Sequence, residues 1–201
     1  DVIFEFGGED GGSEGGCTCI HAHKLVLALS SPTFATMFSS SLAEGQAGML
    51  RIPMDSSLFG AGALRRALFY LYTGDLMGGA GDEGKGGDAA AARAPLPLLP
   101  TSEGVAELLE LLRVADYLQL EHLKQSGERL LVEWEVLQVE NVVDVYSHAV
   151  AARCAQLRAS CVQYIRGMFE VVSATEDWAR LDEVHKKKVT TLPKAERARA
   201  R

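Results

Sequence analysis

The stretch IHAHKLVLALSSPTFATMF, residues 20–38, decides how the rest of the chain is read. It starts as the end of a strand, Cys17–Ala22. It continues as a short helix, Lys24–Leu29, and then restarts. Ser31-Pro32 has the chemistry of an N-cap followed by the first helical position, which predicts a second helix to about Ser41. Upstream, Val2, Phe4 and Phe6 alternate along Asp1–Phe6, the period of a strand with one buried face. Between the two strands lies GGEDGGSEGG (7–16), where six glycines in ten residues read as a flexible hairpin loop.

Downstream the same logic gives a third strand at Met49–Pro53. A helix follows over 58–73, with Leu64, Ala67, Leu68 and Leu71 on one face and Gly74 as a left-handed C-terminal cap. Residues 77–101, Gly, Ala and Pro without periodicity, read as a disordered insertion. Helices resume at about 103–118, where Leu108, Leu112 and Ala115 share a face, and at 120–133, 140–152 and 154–170. Cys154, Leu157, Cys161, Ile165 and Met168 form one stripe of the last. The chain thus runs strand, strand, helix, helix, strand, helix, loop, helix, helix and further helices. A small sheet capped by a helical cluster buries its apolar faces in that order.

Five passages in this order resemble the BTB/POZ domain, a compact protein–protein interaction module. They are Asp1-Val2, HAHK (21–24), SSPTFATMF (30–38), LFYLYTGDL (68–76) and LLRVADYLQLEHLK (111–124). Residues 139–170 and then ATEDWARL (174–181) resemble the start of a BACK domain, with Asn141, Leu157, Ile165, Phe169 and Trp178 on its characteristic positions. The departures are Ser30 where a basic residue is usual, no Cys near Gly127, and long loops at 7–16 and 77–101. The resemblance implies an α+β fold: a three-stranded mixed sheet with a helical cluster, followed by an all-α extension. The expected divisions are 1–135 for the BTB/POZ domain, 138–182 for the BACK-like extension and 183–201 for a basic tail.

The resemblance also implies a function. BTB proteins that recruit the cullin-3 ubiquitin ligase scaffold carry a hydrophobic-x-Glu triplet just after the second helix, and Leu42-Ala43-Glu44 stands there. An exposed apolar side chain with a nearby carboxylate suits a partner pocket; the alternative is a helix end with an incidental Glu. Phe38 and Tyr72 are the further contacts implied. Asp1 and His23 fall on positions that come together near the family's dimer interface. The implied role is a homodimeric, substrate-recruiting adaptor of a cullin-3 ligase, its protein substrate held by domains outside this chain. The alternative is a scaffold or transcriptional co-regulator that self-associates without cullin.

Other chemistry is weaker. Cys17, Cys19, His21 and His23 share a strand face, but same-face side chains along a straight strand fan apart and rarely close a tetrahedral zinc site. Gly79, Gly84 and Lys85 have phosphate-loop spacing, yet Gly86 replaces the hydroxyl residue, and neither strand nor helix flanks the loop. Cys154 and Cys161 read as core thiols. No enzyme signature is present, so neither catalysis, metal nor cofactor is expected.

Composition agrees. The 201 residues are 47% hydrophobic and 23% charged, with 7% aromatics, which points to a Leu-, Val- and Ala-rich core. Lys186–Arg201 holds seven Lys/Arg against one Glu. The remaining chain is therefore strongly acidic within the net charge of −7, the wrong sign for binding nucleic acid. The opening DVIFEF has neither Met nor the basic start of a secretion signal, which reads as a piece of a longer protein. No apolar run reaches membrane-spanning length. Together with the cysteine spacing this places the chain in the cytoplasm, the nucleus or both.

Overall fold

The structure, a computed structural model, describes residues 1–7, 18–39, 49–77 and 98–191. It divides into two compact units, Asp1–Leu130 and Leu131–Arg201. The fold class is α+β, as expected: a three-stranded mixed sheet with helices.

In the first unit, β1 (Val2–Phe6) is the middle strand. It runs antiparallel to β2 (Thr18–Ala22) and parallel to β3 (Leu50–Met54). Its central place explains why Ile3, on the face opposite Val2, Phe4 and Phe6, is buried as well. Glu5 is half-buried and forms an ion pair with Arg51 of β3. The helices are α1 (Lys24–Ser30), α2 (Pro32–Ser39), α3 (Ala61–Thr73), α4 (Ser102–Tyr117) and α5 (Glu121–Glu133). α1 packs on α2, and α3 packs on α4, α1 and β2.

Two boundaries differ from the sequence reading. The helix expected from residue 58 begins at Ala61, because Asp55 holds the preceding residues in a turn. Its carboxylate accepts the Ser57 N–H at 2.9 Å and its carbonyl the Leu58 N–H at 3.1 Å. The expected insertion 77–101 is ordered at its far end. Leu98 is fully buried and its N–H donates to the Met77 carbonyl at 2.8 Å, while Thr101 caps α4 by accepting the Gly104 N–H. The Leu98 side chain has a core site to fill, which the Pro- and Ala-rich text around it conceals.

The second unit holds α6 (Val142–Ala151), α7 (Ala155–Gly167), α8 (Phe169–Val172), α9 (Glu176–Arg180) and α10 (Glu183–Thr190). Leu157, Cys161 and Ile165 line the buried face of α7, with Cys154 buried at its N-cap. Met168 departs from the expected stripe. The helix stops at Gly167, Met168 takes a non-helical backbone, and its side chain is exposed. The segment from 183, expected as tail, is helical and packed through Thr191. Val189 is fully buried, and the Arg166 guanidinium donates to the carbonyls of Val189 at 2.7 Å and Thr191 at 2.6 Å. Two carbonyls bound by Arg166 and one buried valine outweigh the Lys-rich text there. No helix among the described residues is long and apolar enough to cross a membrane.

Candidate functional site

The chain turns from β2 into α1 at His23, and this junction is tied to the last turn of α3. The His23 N–H donates to the Tyr72 hydroxyl at 3.0 Å, and His23 Nδ1 lies 2.7 Å from the same oxygen. The rings meet edge to face with centroids 5.8 Å apart. The sequence reading pairs His23 with Asp1. The register Val2↔Ala22 does run those two residues toward opposite positions at the sheet end, and the Asp1 carbonyl accepts the Leu50 N–H at 2.9 Å. The partner that sequence reasoning missed is Tyr72, 49 residues away, placed by the packing of α3.

α2 begins as its sequence predicts. Ser31 is buried, its hydroxyl donates to the Leu118 carbonyl at 2.7 Å, and the same oxygen lies 3.4 Å from the Phe34 N–H. Thr33 adds a bond to Gln119 at 2.8 Å, so two side chains hold α2 against the turn that follows α4. Phe34 enters the core edge-on to Phe4. Phe38, half-buried, stacks on Phe34 at 5.6 Å with the Lys24 ammonium 5.9 Å above its ring. Phe38 is thus a rim residue that offers part of an aromatic ring. Leu42, Ala43 and Glu44 lie outside the described residues, as does Cys17.

A feature not anticipated is the outer face of α1. Leu25 and Leu29, one helical turn apart, are 71% and 80% exposed. The signal was in the sequence: LVLAL is apolar at more positions than one buried face of a surface helix uses. The two make a small contiguous apolar strip that a partner could cover. Sequence reasoning also missed the buried charges of this unit. The almost fully buried Arg66 donates to Glu107 at 2.7 Å, Lys124 pairs with Asp116 at 2.8 Å, and Glu110 accepts the Gly60 N–H at 2.6 Å. These bonds satisfy buried groups and fix α3, α4 and α5 rather than face a ligand.

In the second unit, Asn141 bridges the approach to α6, accepting the Gln138 N–H at 2.9 Å and donating to the Val136 carbonyl at 2.8 Å. Trp178 is buried with Phe169 edge-on at 5.7 Å. Burial pushes the Cys161 thiol up to about 12, which keeps it protonated and unreactive. A groove of about 570 Å³ runs past Leu131, Val132, Leu137, Leu157 and Tyr164. Among the described residues no group of three or more His, Cys, Asp or Glu side chains is placed to hold a metal ion.

β2, the α1–α2 hairpin, β3 and α3 are the parts that a family comparison addresses. The sequence profile of the BTB/POZ domain matches residues 15–82. That segment is similar to a BTB/POZ domain. β1, the middle strand of its sheet, lies before the matched residues, and α4 and α5 lie after them. Over 163 residues the chain is also 24% identical to BTB and MATH domain-containing protein 42 of Caenorhabditis elegans. The alignment covers 81% of this chain and 33% of that protein, so the chain spans about a third of the relative's length.

Proposed function

We propose that this chain is a non-catalytic adaptor that self-associates through its BTB/POZ domain and recruits a cullin-3-type scaffold. The observation that carries the self-association is the exposed pair Leu25 and Leu29 on α1, an apolar face within the matched BTB/POZ segment. A second copy covering it would remove two Leu side chains from water, about 3–6 kcal/mol before the costs of association. The scaffold would take Leu42 as anchor with Ala43 and Glu44, and Phe38 and Tyr72 as neighbouring contacts. Residues 138–182 would act as a BACK-like extension, with the groove along Leu131 and Leu157 as further contact area. A protein substrate would be held by domains outside this chain, in the cytoplasm or nucleus. The MATH domain in the relative's name shows that one protein of this kind carries a further domain.

The test is a calorimetric titration of the chain with the N-terminal region of cullin-3, alongside light scattering to fix the oligomeric state. Micromolar or tighter binding that Glu44→Lys abolishes, by a dimer that Leu25→Asp with Leu29→Asp dissociates, supports the reading. A folded dimer with no affinity refutes the scaffold part and leaves a self-associating module. A monomer at high concentration refutes the role of α1.

A further inference from the structure

α6, α7 and α10 of the second unit line a pocket of about 320 Å³, formed by Tyr146, Val150, Arg158, Val162, His185 and Lys188. Its polar groups are a guanidinium, an ammonium, an imidazole and a phenol, and among the described residues no carboxylate lines it. Among the described residues neither Arg158 nor Lys188 makes an ion pair. The three helices offer few acids to answer that charge. α7 has none. Asp144 of α6 lies 3.5 Å from His148, and Glu183 of α10 lies 3.0 Å from Lys186. Surface cations are normally interspersed with acids, so an unanswered pair at a concavity is an anion-receiving arrangement.

The geometry points to this pocket as a binding site for a phosphomonoester carried on a protein side chain. Two permanent positive charges match a group that carries about −1.5 to −2 at neutral pH, whereas a carboxylate would leave one cation unanswered. Arg158 supplies the planar fork that binds phosphoryl oxygens in pairs, and Lys188 a mobile point charge. Tyr146, 2% exposed, holds the His185 ring through a 3.2 Å contact from its hydroxyl to Nδ1 and an edge-on ring contact at 5.8 Å. Burial raises the Tyr146 phenol above its ordinary value, and the charge of Arg158 opposes that rise, so the guanidinium acts within this pocket. Val150 and Val162 complete the lining with apolar surface for the carbon stem that bears the phosphate. The site is independent of the cullin reading, since it uses only second-unit residues.

The test titrates the whole chain with three peptides of one sequence carrying phosphoserine, phosphotyrosine or glutamate, and with inorganic phosphate. Calorimetry gives affinity and the His185 ring resonances give location. A phosphopeptide is expected to shift those resonances and to bind more tightly than both the glutamate peptide and free phosphate. Which of the two phosphopeptides binds better identifies the stem. Arg158 and Lys188 are exposed, so Arg158→Gln and Lys188→Gln should fold normally and each weaken binding about tenfold or more. Absence of a His185 shift at millimolar peptide overturns the proposal. So does binding that both variants leave unchanged, and so does equal affinity for the glutamate peptide or for free phosphate.

Discussion

Gly104 offers the sharpest test of the packing. It is the third residue of α4, where general helix propensity favours alanine by about 1 kcal/mol. A Cβ built there would lie 2.0 Å from the Leu99 carbonyl oxygen, with the Leu99 carbonyl carbon at 3.1 Å and its nitrogen at 3.2 Å. Ordinary contact needs about 3.5 Å, so the 98–101 segment or the helix start must move by about 1.5 Å. The obstacle is backbone, and Leu98 beside it is buried and bonded to Met77. Overpacking of this kind costs about 1–3 kcal/mol, and a backbone clash belongs at the upper end. Gly104→Ala should therefore destabilise the first unit by about 1–2 kcal/mol net of the propensity gain. Gly62→Ala is the control. Gly62 sits in α3 with nothing within 4 Å of its built Cβ, and the change should be neutral or stabilising by up to about 1 kcal/mol. Urea unfolding followed by far-ultraviolet circular dichroism, with hydrogen exchange of α4 amides, reads both. Tryptophan fluorescence is unsuitable, because Trp134 and Trp178 both lie in the second unit. If Gly104→Ala matches or exceeds the parent in stability, Leu99 does not approach α4 as described, and the ordered end of the insertion falls with it.

Ser31→Ala removes both the cap of α2 and a buried bond to Leu118, and should lower stability by about 1–2 kcal/mol in the same urea assay. Cys161 has a folded pKa raised above its unfolded value, so its contribution is fully present below about pH 9 and is lost as pH climbs toward 12. The urea midpoint should fall with rising pH in that window, and Cys161→Ala should make the fall shallower; an unchanged slope would refute the assignment.

The sequence made the fold class readable because its signals are local. Alternation marks β1, the Ser31-Pro32 pair opens α2, and Gly74, at φ 74°, closes α3 as a left-handed cap. What stayed hidden depends on partners far along the chain. His23 and Tyr72 are 49 residues apart, Arg66 and Glu107 are 41 apart, and the Tyr146–His185 contact spans 39. No periodicity encodes such pairs. Arg66 and Lys124 read as surface cations by type, and only the packing of α3, α4 and α5 shows that they are enclosed. The exposed Leu25 and Leu29 belong to a third class: their excess apolarity was visible in LVLAL, but a run that is apolar on several sides looks the same whether it is core or contact.

The central place of β1 has a bearing on how the chain assembles and how it tolerates cutting. β1 is joined to neighbours that emerge after it, β2 after about a dozen residues and β3 only after Met49. A nascent β1 therefore waits with one side unpaired until its parallel partner arrives, the sort of long-range closure that slows folding and exposes a strand edge. The same arrangement means that a fragment trimmed to residues 15–82 would lose the strand lying between its two others. β2 and β3 would then face a gap one strand wide, and the first unit would be open to filling by whatever extended segment is at hand.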